Sequence, residues 1–170
     1  MIRLGFTRYE LPELIDLQGY KRAVEVGINL GQFSYHLLKY SKLELLVSVD
    51  SYPGKYRKAM PSAKNYLAPF GARSQLLRRS SVDAAATVAN GFFDFVYIDA
   101  AHDYASVHAD IEAWARTVRP GGLLAGHDYT PAHAGVMQAV DEFTSNSNWT
   151  LFSTRELWAS WMFFVPESAS

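Results

Sequence analysis

The sequence predicts an α/β fold: a mainly parallel sheet with helices on both faces. Three observations predict it. Short apolar runs near 22–27, 45–50, 74–79, 92–99 and 123–128 alternate with stretches of helical spacing, as in repeated strand–helix units. The strongest runs are apolar on both faces, as buried parallel strands are. Near the C-terminus, residues 149–154 and 157–165 read as two strands joined by a short turn, which can pair antiparallel.

Taken in order, residues 11–18 suit a short helix, with Pro12 in its first turn and Gly19 closing it. Residues 22–27 form a strand ending in a glycine turn, and 31–41 the next helix, with Phe33, Leu37 and Leu38 on one face. Residues 45–50 are a strand ending in Asp50. Pro53, Gly54, Pro61 and Pro69 break the stretch 51–70 into a loop and one broken helix. Residues 74–79 are a weak strand, and Ser80 caps a helix reaching about 89. The run 92–99 is aromatic, β-branched and closed by Asp99; a helix at 103–117 follows, with Val107, Ile111 and Trp114 on one face. Residues 119–122, Arg-Pro-Gly-Gly, read as a turn before a strand ending in Asp128, and 132–145 as a helix.

A length of 170 residues with 49% hydrophobic and 19% charged residues fits one domain over 1–170, with a short helix in 1–20 and a loose tail at 166–170. A net charge of −1 without a dense basic run favours neither nucleic acid nor an anionic membrane as partner. The lack of cysteine excludes disulfides and thiolate chemistry. No signal-like or membrane-spanning run is evident, so a cytoplasmic protein is expected.

The pattern Glu25-Val-Gly27-Ile-Asn29-Leu-Gly31-Gln-Phe-Ser34 resembles motif I of class I S-adenosylmethionine-dependent methyltransferases. The likeness continues through Asp50, Asp99-Ala-Ala-His102-Asp-Tyr104 and Pro120-Gly-Gly…His127-Asp128-Tyr129, over roughly residues 20–165. The last two blocks look most like the small O-methyltransferase-related families. The resemblance implies a Rossmann-like three-layer sandwich, with a seven-stranded sheet whose final strand is reversed. It implies S-adenosylmethionine as cofactor and methyl transfer to a small hydroxylated acceptor.

Each residue type has a physical reason. Glycine at 27 and 31 would let the turn approach the ligand's amino-acid arm, and Glu25 would hold its ammonium group. Asp50 would accept from both ribose hydroxyls, about twenty residues beyond the turn as in dinucleotide folds. Asn29, Ser34, Ser51 and Asp99 complete the expected cofactor shell. Ser81 and Val82 resemble the adenine-contacting segment, which here begins Arg79-Ser80 where the family usually has Gly-Asp/Ala. A dinucleotide-binding Rossmann unit is an alternative, but its Gly-x-Gly-x-x-Gly cradle is missing.

Asp99 and Asp128 end strands expected to be neighbours, with His102 and His127 beside them. In related enzymes acids at these strand ends hold magnesium, so Asp99, His127 and Asp128 form a candidate metal set. An imidazole suits a transition metal better than magnesium. Alternatively His102 or His127 is the general base, with Asp99 in the same catalytic group, or both rings are structural. The stretch 51–60, Tyr104 and residues 129–133 are candidates for the acceptor region. Trp149, Trp158 and Trp161 offer either a homodimer face or sheet core. A cofactor-binding domain without transferase activity, acting as scaffold or partner subunit, is the remaining alternative.

Overall fold

The computed structural model describes residues 1–167; the end of the expected tail, 168–170, lies outside the described residues. The sheet has eight strands: β1 (Ile2–Arg3), β2 (Arg22–Val26), β3 (Leu45–Val49), β4 (Ser74–Leu77), β5 (Phe93–Ile98), β6 (Val118–Tyr129), β7 (Phe152–Ser153) and β8 (Ala159–Phe164). Their order is β1-β7-β8-β6-β5-β2-β3-β4. β8 runs antiparallel to both β6 and β7, and all other neighbours pair parallel. The reversed strand is therefore as expected, but the count is eight rather than seven. The extra strand is the two-residue β1, too short to show in an alternation pattern.

Among the described residues six α-helices cover the sheet: α1 (Leu11–Leu17), α2 (Gln32–Tyr40), α3 (Met60–Leu67), α4 (Ser81–Ala85), α5 (Tyr104–Ala115) and α6 (Ala134–Asn146). Strand alternation divides the core. Ala23, Leu46, Phe95 and Leu123 pack with Leu11, Ile15, Leu37 and Leu67 on the α1–α3 side. Val24, Val26, Val96 and Leu124 pack with Ala84, Ile111, Trp114 and Val140 on the α4–α6 side. The result is the three-layer arrangement.

Two local expectations change. The helix begun by Ser80, whose hydroxyl accepts from the Asp83 N–H, ends at Ala85 rather than near 89. Beyond Ala85 the chain tightens into i→i+3 turns, Thr87 N–H donating to the Ala84 carbonyl (3.1 Å) and Val88 N–H to Ala85 (2.9 Å), and Arg116 also donates to the carbonyls of Ala85 (2.6 Å) and Val88 (3.0 Å). The Pro-Gly-Gly segment is not a turn between elements but lies inside β6. Gly121 at φ 70° and a register shift against β5 between Phe93 and Phe95 absorb the bend. Of the two readings of Trp161, sheet core is the one observed: it is buried, its ring lying where a Cβ on Gly126 would sit. Trp149 is half-buried, and Trp158 remains 43% exposed.

A candidate cofactor and methyl-transfer site

Strand order changes direction between β2 and β5: β3 and β4 follow on one side of β2, and β6 and β8 lie beyond β5. A cavity of about 990 Å³ opens at the carboxyl ends of β2, β3 and β5. Glu25, Gly27, Asn29, Asp50, Ser51, Ser81, Val82, Asp99 and His102 all line it. Four segments far apart in sequence thus meet because each follows the end of a neighbouring parallel strand.

Gly27 and Gly31 are required, though by the chain's own packing. At Gly27 (φ 88°) a Cβ would sit 2.1 Å from the Asp99 carbonyl oxygen, so the turn could not lie against the end of β5. At Gly31 (φ 83°) a Cβ would come 2.9 Å from Ala63 Cα, where α3 packs on the start of α2. Gly31 and Ser34 are behind the cavity wall. Buried Ser34 donates to Glu25 and shares a 2.8 Å hydroxyl contact with Ser48. Burial pushes the Glu25 carboxyl up to about 8, a rise that the Ser34 hydrogen bond only partly offsets.

Asp50 is fixed from two sides. Its Oδ2 accepts from the Asn29 N–H at 3.0 Å and its Oδ1 from the Tyr52 N–H at 2.7 Å. The Tyr52 hydroxyl in turn donates to the Asn29 carbonyl at 3.0 Å. Asn29 and Tyr52 both have positive φ, 48° and 51°, so this clasp holds strained backbone around one carboxylate. Each oxygen keeps a lone pair for a ligand.

At the other edge, His102 Nε2 lies 2.8 Å from Asp128 Oδ2, off the alignment of a hydrogen bond. His127 Nδ1 lies 3.0 Å from Asp128 Oδ1 and 3.7 Å from Asp99 Oδ2. Hydrogen bonding to Asp99, with the charges of Asp128 and Asp99, raises the His102 pKa. Burial opposes ionisation of Asp128, but His127 and His102 outweigh it and hold its carboxyl below the ordinary value. Only His102 of the two histidines lines the cavity; His127 and Asp128 are behind it. The helix α5 is capped by Asp103, which accepts from the Ser106 N–H, so the His102 ring does not serve as the cap.

Two cavity residues escaped the sequence reading. Arg8, in the segment before α1, pairs with Asp99 Oδ2 at 3.1 Å and lies over the Phe33 ring. Asp110 on α5 is buried beside Ser81, and burial pushes its carboxyl up to about 6. Neither carries a motif; only the three-dimensional path of the chain reveals them. Among the acceptor candidates, Tyr56 lines the cavity. The hydroxyls of Tyr104 and Tyr129 instead donate to Glu142 and Asp141 on α6.

The sequence family described as a methyltransferase domain matches residues 24–129. The chain belongs to this family. It is an S-adenosylmethionine-dependent methyltransferase. No curated protein matches the methyltransferase in sequence. Among solved structures it is similar to an O-methyltransferase from Bacillus cereus in complex with SAH. That likeness has 18% identity and a TM-score of 0.74, over 92% of this chain and 79% of that one. It is also similar to the O-methyltransferase TomG from Streptomyces achromogenes in complex with SAM (19% identity, TM-score 0.73, 93% and 78% of the chains). A methyltransferase from Geobacter sulfurreducens gives 15% identity and a TM-score of 0.73 over 92% and 76%. At these identities the structural likenesses establish the shared fold.

Proposed function

We propose that the methyltransferase acts on a hydroxyl group of a small acceptor, with the cofactor seated from Asp50 to Asp99 and His102 as general base. The observation that carries the reading is one cavity with a clasped carboxylate at one end and a carboxylate-flanked imidazole at the other. S-Adenosylmethionine, when bound, supplies a methyl group already activated on a sulfonium sulfur. Asp50, with a free lone pair on each oxygen, suits a ribose diol. Glu25 and Asp99 face the Gly27 turn and suit an ammonium group. Ser81 and Val82 line the far wall, where the adenine would lie. Gly31 and Ser34 support this shell from behind.

His102 is placed to take the acceptor's hydroxyl proton, and the Asp128 carboxylate stabilises the imidazolium that forms. His127 props Asp128 from the other side. Most of the rate gain asked of the protein is alignment and exclusion of water.

Asp99, His127 and Asp128 are the expected seat of a divalent ion. The three bring ligand atoms within 4.8 Å of one another. Yet the Asp99 oxygen facing His127 is already paired with the Arg8 guanidinium, and His127 offers nitrogen where magnesium prefers oxygen. That donor set does not fit magnesium; its imidazole nitrogen suits a transition-metal ion instead.

Isothermal titration with S-adenosylmethionine and its demethylated product, on wild type and Asp50→Ala, tests the seat. Asp50→Ala should weaken both ligands by about tenfold or more, the worth of a lost charge-assisted hydrogen bond. Unchanged affinity removes Asp50 from the site. In a screen of hydroxylated acceptors, His102→Ala should lower turnover by about 10²–10⁴ with cofactor affinity kept. Full turnover in that variant removes the base.

A further inference from the structure

We propose that Arg8 recognises the carboxylate at the amino-acid end of S-adenosylmethionine, making residues before α1 part of the cofactor site. The proposal rests on the cofactor reading above and adds a residue to it.

Charge makes the first argument. The amino-acid arm carries an ammonium and a carboxylate together. The cavity wall around the Gly27 turn presents the Asp99 carboxylate, which suits the first and would repel the second. Two cations line the cavity, Arg8 and Arg79. Arg79 follows β4, its N–H donating to the Asp50 carbonyl at 3.2 Å, at the nucleoside end. Arg8 is therefore the cation at the Gly27 end among the described residues.

Spare donors make the second. A guanidinium offers five N–H groups in a planar fork that matches a carboxylate. In Arg8, NH1 donates to Asp99 Oδ2 and the Tyr97 hydroxyl also lies beside the guanidinium, which leaves further donors of the fork unused. The side chain is only 19% exposed, with its guanidinium carbon 4.6 Å from the centre of the Phe33 ring. A largely buried guanidinium with unused donors, lining a cavity, is arranged for an anion rather than for Asp99 alone.

Placement makes the third. The segment leading to Arg8 is tied to residues 151–156 almost residue by residue. The Ile2 N–H donates to the Leu151 carbonyl (2.8 Å) and the Leu4 N–H to Ser153 (2.7 Å); Arg155 N–H donates to the Phe6 carbonyl (3.0 Å). The Arg8 N–H itself donates to Glu156 Oε1 at 2.8 Å. Thr7 and Glu10 close a capping box just before α1. Arg8 thus projects from a fixed strap.

The test compares S-adenosylmethionine with decarboxylated S-adenosylmethionine, which lacks only the group in question. Titrations would use wild type, Arg8→Met and Arg8→Lys, each checked for folding by circular dichroism. Wild type should prefer the intact ligand by about 10- to 100-fold, as a buried hydrogen bond between charged groups implies. Arg8→Met should abolish that preference by weakening the intact ligand alone, and Arg8→Lys should keep part of it. A preference that survives in Arg8→Met, or equal weakening of both ligands, overturns the proposal and leaves Arg8 as a partner for Asp99. Wild type binding neither ligand would instead overturn the cofactor reading on which this one stands.

Discussion

Glu25 shows how burial and chemistry compete at a single residue. Its carboxyl is buried beneath the Gly27 turn with Ser34 as its hydrogen-bond donor, and burial holds its pKa up to about 8. Unfolded, it would titrate near ~4.3. Between those values the folded chain holds a proton that the unfolded chain has lost, so stability falls as pH rises through the window. Glu25→Gln carries no such proton. Thermal melts of the ligand-free protein should therefore show wild type losing stability relative to Glu25→Gln between pH 5 and 9; parallel curves would mean that Glu25 titrates normally. At this scale the sequence was informative where a residue follows a strand end directly. Gly27, Asp50 and Asp99 were legible because a strand's carboxyl end is where a parallel sheet meets its ligand. Arg8 and Asp110 were not, since one sits in an irregular strap and the other on the α5 face that carries Val107, Ile111 and Trp114 into the core. His102 and His127 were equivalent in sequence, and only the cavity wall separates them.

Among the elements, the glycine turn gained a different explanation. Sequence reasoning required glycine at 27 and 31 for the approach of a ligand. The structure requires both for the approach of other elements, β5 at Gly27 and α3 at Gly31. Gly31→Ala separates the two accounts. A Cβ at 31 would press on Ala63 Cα at 2.9 Å in a left-handed backbone, so the start of α2 must shift from α3. The variant should lose about 1–3 kcal/mol in urea unfolding without ligand, the range for strained backbone at positive φ. An unchanged midpoint would return Gly31 to a role in ligand approach. The strand–helix alternation was readable throughout, since it depends on local apolar spacing. The misread parts, Pro-Gly-Gly inside β6 and the early stop of α4, depend on partners distant in sequence: the end of β8 and Arg116.

For the whole molecule, the cavity belongs to no single element. It joins the ends of β2, β3 and β5 with the starts of α2, α4 and α5, and the strap that brings Arg8 is held by the far edge of the sheet through β1 and β7. A ligand bound there touches segments that can separate only if the sheet comes apart, so its binding energy should add to global stability rather than to one loop. At a demethylated-cofactor concentration about 100 times its Kd, linkage gives about 2.7 kcal/mol. For a domain of this size that raises the melting midpoint by about 5–10 °C. Scanning calorimetry should show the rise as one sharpened transition, lost in Asp50→Ala. Binding by titration with a midpoint shift below about 1 °C would mean that the cavity wall opens independently of the sheet. The clasp on Asp50 and the ties along residues 2–8 argue against such independent opening. Each fixes a cavity residue by backbone hydrogen bonds to a different part of the same fold.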